Sequence, residues 1–305
     1  MSATGKPARR LTIADIARLH ADGQRIAMLT AYDYPTARIV DEAGIPMILV
    51  GDSLGMVMLG YDETVRVTID EMLHHTKAVS RGAQHALVVG DMPFLSYGVT
   101  VEASVENAGR FVSEAGAQAI KVEGGVRSAR TIEAIVKVGI PVMAHIGLTP
   151  QAVHGLGGHR VQGKTVDSAR RLLADAFAVQ EAGAFSIVLE LVPSQLAAAI
   201  TERLRIPTIG IGAGAGCSGQ VQVITDLLGL TQGYIPRHAR RYEELGQRIA
   251  SAVTAYRDDV EAGRFPAPEH GSAMDEAVLA EVLGGGALDR PEADGSTAIP
   301  LDRDL

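Results

Sequence analysis

Five polar residues stand where apolar runs stop. Met47-Ile48-Leu49-Val50 leads through Gly51 to Asp52, and Ala86-Leu87-Val88-Val89 leads through Gly90 to Asp91. Ala119-Ile120-Lys121-Val122 ends at Glu123, Val142-Met143-Ala144 at His145, and Phe185-Ser186-Ile187-Val188-Leu189 at Glu190. Short apolar runs of this kind are buried strands, and the polar residue that ends one stands at the rim of a sheet. Taken singly, each is as readily a helix cap or a solvated turn acid. Four acids and a histidine ending successive strands ask for more. Crowded carboxylates raise one another's pKa unless a cation sits among them. Oxygen donors without a cysteine suit a hard ion, Mg²⁺ first. Lys121, two residues before Glu123, shares its face by strand alternation, where it balances the acids or grips an anionic substrate. A divalent metal beside an ammonium is apparatus for a keto acid, which chelates through its carboxylate and ketone oxygens.

The elements that carry these residues repeat. A helix stopped by glycine, a two- or three-residue turn and a short apolar strand recur down the chain, as in Glu42-Ala43-Gly44-Ile45-Pro46 before Met47 and Glu181-Ala182-Gly183-Ala184 before Phe185. Strands are expected over 26–31, 46–51, 86–90, 118–122, 140–145, 185–190 and 207–212, with an eighth over 220–224. Helices fill 68–81, 101–115, 127–138, 165–182 and 193–203. Near-continuous apolar strands alternating with helices mean parallel strands covered by helices. Eight such units in 305 residues favour a TIM (β/α)8 barrel over an open doubly wound sheet. In a barrel every strand opens on one face, so Asp52, Asp91, Glu123, His145 and Glu190 ring one mouth. Residues 1–10 read as a flexible arm and 11–266 as a single barrel domain with C-terminal helices. Residues 267–305 read as an acidic, disordered tail with nine acids against two arginines, in which 274–283 can form a short helix.

Composition narrows the class. With 47% apolar and 21% charged residues the chain has a large core, and no apolar run approaches the roughly 20 residues of a membrane span. A net charge of −8, no tryptophan and 4% aromatics give neither the basic footprint nor the stacking surface of a nucleic-acid binder. The one cysteine, Cys217, excludes an internal disulfide and fits a reducing, cytoplasmic setting. Other motifs are weaker. Gly212-Ala213-Gly214-Ala215-Gly216-Cys217-Ser218-Gly219 contains a G-x-G-x-x-G match without the following βα unit and ribose-binding acid, so it is an anion contact or a plain tight turn. His154 and His159 flank Gly155-Leu156-Gly157-Gly158, which reads as a lid after the fifth strand. His74-His75 reads as helix surface, and Tyr32-Asp33 lies at the first strand's end without an assigned role.

Seven separated blocks together resemble one family. They are Gly51-Asp52-Ser53-Leu54-Gly55, Asp91-Met92-Pro93-Phe94, Lys121-Val122-Glu123-Gly124-Gly125, Ala144-His145-Ile146-Gly147-Leu148-Thr149-Pro150-Gln151, Val161-Gln162-Gly163, Leu189-Glu190-Leu191-Val192-Pro193 and Ile209-Gly210-Ile211-Gly212-Ala213-Gly214. In this order, over roughly 11–270, they resemble the ketopantoate hydroxymethyltransferases. The resemblance implies a barrel of the phosphoenolpyruvate/isocitrate lyase type, Mg²⁺ and assembly into a homodecamer. It implies transfer of a hydroxymethyl group from 5,10-methylenetetrahydrofolate to 3-methyl-2-oxobutanoate through a Mg²⁺-stabilised enolate, in pantothenate synthesis. Metal contacts fall on Asp52, Asp91 and, less directly, Glu123. Oxo-acid contacts fall on Asp52, Ser53, Asp91 and Lys121, and the base on Glu190. Departures lie at Lys164, where the family has Arg, at His159-Arg160, at Gly233-Tyr234-Ile235-Pro236-Arg237-His238, and in the acidic tail. The rival on the same barrel is a Mg²⁺-dependent C–C lyase acting on a 2-oxo acid, a class that often carries a reactive lid cysteine. None lies in 154–164.

Overall fold

The structure, a computed structural model, describes residues 9–231, 233 and 235–284. Eight parallel strands, β1 (Ile26–Thr30), β2 (Met47–Val50), β3 (Leu87–Asp91), β4 (Ala119–Glu123), β5 (Val142–Gly147), β6 (Ser186–Glu190), β7 (Thr208–Ile211) and β8 (Gly219–Gln222), pair in chain order. β8 then pairs with β1, which closes the barrel. The expected (β/α)8 architecture is therefore present. α1 (Ile13–Ala21) precedes the first strand, and α2 (Tyr34–Glu42) follows it. Between β2 and β3 lie α3 (Leu54–Val57) and α4 (Ile69–Gly82), and α5 (Val101–Ser113) and α6 (Ala129–Lys137) follow β3 and β4. After β5 come α7 (Val153–Leu156) and α8 (Val166–Glu181), and α9 (Ser194–Arg203) follows β6. α10 (Ile224–Leu227) follows β8.

Strand alternation sorts the core into two clusters. Outward residues such as Ile48, Val50, Val88, Ile120, Val122, Ile187 and Leu189 pack against the helices. Inward residues, including Met28, Met47, Leu49, Leu87, Val89, Ala119, Met143, Val188, Ile209 and Val221, fill the barrel, and Ile16 of α1 joins them. The same inward columns continue upward into charge: Leu87-Val89 into Asp91, Ala119 into Lys121 and Glu123, Met143 into His145, and Val188 into Glu190. The period of two that builds a dry plug below thus stacks titratable groups above it.

The β7–β8 connection has no helix. Its glycine run turns directly back, with Gly212 and Gly214 at φ 65 and 78°. A Cβ on Gly216 would stand 2.6 Å from Ala198 Cβ of α9, so the small residues let that helix lie close to the turn. This favours the plain-turn reading of that motif, and Cys217 inside it is fully buried. Arg9 and Arg10 are held rather than loose. Arg9 pairs through both terminal nitrogens with Asp15 at 2.6 Å, and Arg10 donates to Ser80 O at 2.9 Å and to Ala83 O.

Asp41 ends α2 and organises the start of β3. Its carboxylate accepts from the backbone N–H groups of Gln84 (2.9 Å), His85 (2.9 Å) and Ala86 (2.7 Å), and lies 2.8 Å from His85 Nδ1. Burial opposes the charge, but these donors outweigh it and hold the carboxyl below the ordinary range. Asp41 therefore stabilises the fold above the ordinary carboxylate pKa and loses that contribution as pH falls through its lowered value. Asp41→Asn, which turns an amide donor toward these N–H groups, is expected to cost about 2–3 kcal/mol at pH 7. Urea unfolding should show the gap narrowing as pH falls below the ordinary carboxylate pKa.

The described residues divide into two units, one ending at Gly246 and one beginning at Gln247. Most of α11 (Leu245–Glu261) lies in the second, where Tyr256 meets Phe265 edge-on at 5.6 Å between centroids. A turn at Pro268–His270 and α12 (Glu276–Gly284) continue that unit, so a helix forms close to the stretch expected over 274–283. Most of the expected tail, 285–305, lies outside the described residues, as do residues 1–8 and Tyr234. Among the described residues no helix is long and apolar enough to cross a membrane.

Candidate active site

Every strand-end residue named from the sequence reaches the C-terminal rim of the barrel. Register sets neighbours directly: Asp91 lies beside Lys121, Glu123 beside His145, and Gly147 beside Glu190. Gly147 has φ 95°, and a Cβ there would collide with the Glu190 carbonyl, so β5 and β6 approach closely at this point only because the residue is glycine. Glu190 is followed by Leu191 at φ 46°, one of two described non-glycine residues with positive φ. Leu191 N donates to Ile211 O (2.9 Å) and its carbonyl accepts from Gln162 N (2.8 Å), which anchors the 157–163 loop beside the rim.

The centre of the cluster is Lys121, 4% exposed. Its Nζ lies 2.9 Å from Asp91 Oδ1, 3.5 Å from Glu123 Oε1 and 3.2 Å from His145 Nδ1. Burial disfavours its charge, but Asp91, Glu123 and Asp52 outweigh burial and hold it protonated. His145 is placed between carboxylates, with Nδ1 3.2 Å from Glu123 Oε1 and Nε2 3.2 Å from Glu190 Oε2. The Nε2 contact is ionic in distance without a well-aligned hydrogen bond. Burial and the Lys121 ammonium lower the imidazole's pKa, while Glu123 and Glu190 raise it, to a net value of about 9. Glu123 is pushed up by burial but held low by Lys121 and His145, and its Oε2 also accepts from Gln151 N at 3.1 Å.

Asp52 and Asp91 behave differently. Asp91 Oδ2 accepts from Asp52 N at 3.0 Å, and Asp52 Oδ2 accepts from Gln151 Nε2 at 2.9 Å. Burial, then Asp91 and Glu123, pushes the Asp52 carboxyl well above the ordinary range. Burial raises Asp91 too, against the pull of Lys121. The raised Asp52 and Asp91 carboxyls are the groups whose ionised form a bound cation would favour, beyond what Lys121 supplies. Among the described residues no group of three or more His, Cys, Asp or Glu stands close enough to hold a metal ion alone. A hard cation bound here would draw on one or two carboxylates and complete its shell from substrate and water, the habit of Mg²⁺. Asp52, whose Oδ1 accepts from no described residue, fits that role most directly; Asp91, like Glu123, has both oxygens engaged, and a cation there would share Asp91 Oδ1 with Lys121.

Ser53 opens α3, and its Oγ lies 2.9 Å from Tyr32 Oη. Burial pushes the Tyr32 phenol up to about 12, so it stays a proton donor at neutral pH. His75, expected at the surface, instead bonds Tyr32 O through Nδ1 at 2.6 Å and fixes the end of β1, while His74 is exposed. His154 pairs with Glu63 at 2.9 Å, and His159 and Lys164 are exposed. Sequence reasoning gave no role to Tyr97 and Gln151. Both come from loops, and the only trace of Gln151 was its place after Thr149-Pro150 at the end of β5.

Comparison with known proteins gives a consistent picture. A family model described as Ketopantoate hydroxymethyltransferase matches residues 10–268. The 3-methyl-2-oxobutanoate hydroxymethyltransferase of Chloroflexus aggregans is 64% identical over 275 residues, covering 90% of this chain and 98% of that protein. Among solved structures, 2,3-dimethylmalate lyase, a member of the PEP mutase/isocitrate lyase superfamily, superposes with a TM-score of 0.51 at 18% identity, over 90% of this chain and 95% of that one. A phosphonopyruvate hydrolase solved with oxalate and Mg²⁺ gives a TM-score of 0.52 at 14% identity, over 90% and 95%. These two likenesses concern the fold.

Proposed function

The chain belongs to the ketopantoate hydroxymethyltransferase family, and on that premise we propose that the acid-ringed mouth of its barrel is where the transfer takes place. The protein is a transferase that adds a hydroxymethyl group to 3-methyl-2-oxobutanoate. 5,10-methylenetetrahydrofolate is the one-carbon donor, and water supplies the hydroxyl oxygen. The observation that carries the site is the buried cluster of Asp52, Asp91 and Glu123 around Lys121 and His145, with the half-buried Glu190 against His145.

Asp52 and Asp91 would hold Mg²⁺, with Glu123 acting from behind through Lys121. When bound, the ion supplies Lewis-acid stabilisation of negative charge on the ketone oxygen. Oxalate, which accompanies Mg²⁺ in the phosphonopyruvate hydrolase, presents the same pair of adjacent oxygens as a 2-oxo acid. Lys121 sets the substrate's charged end against the Asp91 side of the mouth. Either hydroxyl can donate in the Tyr32–Ser53 pair, and when Tyr32 donates the Ser53 proton is free for a substrate oxygen. Glu190, at 16% side-chain exposure the most open of the four acids, takes the C3 proton. His145 Nε2 stands beside it, 3.2 Å from its Oε2. Binding in one fixed pose aligns C3 with the incoming one-carbon unit.

Self-association belongs to the same reading. In α11, Ile249, Val253, Tyr256 and Val260 recur at intervals of four, three and four residues and are 52, 61, 59 and 45% exposed, a stripe suited to a second copy and consistent with a homodecamer. A cytoplasmic location fits the single buried thiol.

The test is product formation. Incubated with Mg²⁺, 3-methyl-2-oxobutanoate and 5,10-methylenetetrahydrofolate, the protein should yield the hydroxymethylated oxo acid by mass spectrometry, and nothing when the folate is omitted. Cleavage of a C–C bond in a 2-oxo acid without folate would replace this reading with a lyase.

A further inference from the structure

Gln151 and Tyr97 form a closed hydrogen-bond unit behind Asp52. Gln151 is 6% exposed and follows β5 in a single turn of 3-10 helix. Its Nε2 donates to Asp52 Oδ2 at 2.9 Å and to Met92 O at 3.0 Å. Its Oε1 accepts from Tyr97 Oη at 2.6 Å, and its backbone N–H donates to Glu123 Oε2 at 3.1 Å. Tyr97 Oη in turn accepts from Glu123 N at 3.2 Å.

Donor and acceptor roles in this unit are not interchangeable. The Glu123 N–H can only donate, so the Tyr97 hydroxyl accepts there, and its own proton points to Gln151 Oε1. The Met92 carbonyl can only accept, so it demands the amide's NH₂ side. The Met92 carbonyl alone fixes the carboxamide, because a flipped amide would face both Met92 O and Asp52 with an acceptor. The NH₂ is thereby aimed at Asp52 Oδ2 under all conditions. One oxygen of Asp52 is occupied from behind, and Oδ1 accepts from no described residue.

Resting on the reading of Asp52 as a metal-binding carboxylate, we infer that Gln151 is a positioning residue. Locked by Tyr97, it holds Asp52 Oδ2 from behind and leaves Oδ1 free to meet a divalent cation. A ligating carboxylate held by a hydrogen bond from behind loses less freedom on binding, and removal of such partners typically costs about 10–100-fold in metal affinity. Tyr97 hydrogen-bonds neither Asp52 nor Asp91; among the described residues its hydroxyl meets only Gln151 Oε1 and the Glu123 backbone N–H, so its influence on the Asp52 side chain runs through Gln151.

The experiment is calorimetric titration of the full chain with Mn²⁺, a spectroscopically useful stand-in for Mg²⁺, alongside thermal unfolding. Gln151→Met, close in size, should weaken Mn²⁺ binding about 10–100-fold. Tyr97→Phe, which removes one hydroxyl, should weaken it several-fold. The double variant should match Gln151→Met alone, because Tyr97 acts through Gln151. Unchanged Mn²⁺ affinity in folded Gln151→Met, or in Tyr97→Phe if the former does not fold, overturns the inference even if melting temperatures fall. Additive losses in the double variant also overturn it. Failure of the unsubstituted protein to bind Mn²⁺ overturns both this inference and the metal reading on which it rests.

Discussion

Replacing Glu190 with Gln is expected to lower kcat by about 10³-fold while leaving the Kd for 3-methyl-2-oxobutanoate within a few-fold of its original value. The magnitude is that of removing a positioned general base. The selectivity follows from geometry. Among the described residues, the side-chain contact of Glu190 is with His145 Nε2 at 3.2 Å, and it shares no hydrogen bond with Asp52 or Asp91, so the binding side of the mouth keeps its shape. Gln preserves volume and the 16% side-chain exposure gives water access to the new amide, so stability should change by less than about 1 kcal/mol. Single-turnover kinetics with separate equilibrium binding of the oxo acid would check both halves. A loss confined to binding would move Glu190 out of the proton-transfer role.

Replacing Lys121 with Met should do the opposite, damaging the fold before the chemistry is reached. The side chain is 4% exposed among Asp91 and Glu123, each 1% exposed, with Asp52 also buried. Removing one partner from a buried ionic cluster leaves its acids uncompensated, at a cost of about 3–5 kcal/mol. The pH dependence has a definite sign. Asp52 and Asp91 already have raised pKa values and would rise further without the ammonium, so the variant takes up protons and recovers as pH falls. Its deficit in chemical unfolding should therefore be larger at pH 8 than at pH 5.5. Mg²⁺, which binds the folded state, should restore part of the loss at pH 8. A deficit independent of pH would mean that Lys121 acts by packing rather than by charge.

Much of this arrangement was legible in the chain because a barrel strand repeats every two residues. Once Leu87 and Val89 point inward, Asp91 must follow them, and the same step carries Ala119 to Lys121 and Glu123 and Val188 to Glu190. The strands were readable for the same reason, down to the short β8 near its expected place. Residues that reach the mouth by other routes were not. Asp52 is the exception, read at the rim from its strand end although, two positions after Val50, alternation alone would point it outward; the chain turns at Gly51 and its N–H donates to Asp91 Oδ2. Tyr97 returns to the rim through a loop in which Leu95 takes φ 61°, a conformation that no leucine advertises. Gln151 reads as an ordinary polar loop residue until its four hydrogen bonds are traced. His75 looks like helix surface because its partner, Tyr32 O, lies 43 residues away. The missing helix between β7 and β8 was likewise hidden behind a glycine run that resembles a nucleotide fingerprint.

The central claim is that the acids at the strand ends form one cation-dependent site in which Glu190 removes the C3 proton of the oxo acid. Proton NMR of 3-methyl-2-oxobutanoate in D₂O, without folate, tests it most directly. With Mg²⁺ the unsubstituted protein should exchange the C3 proton for deuterium, EDTA should stop the exchange, and Glu190→Gln should slow it about 10³-fold. Exchange that continues in EDTA, or that proceeds in Glu190→Gln at the original rate, would contradict the account.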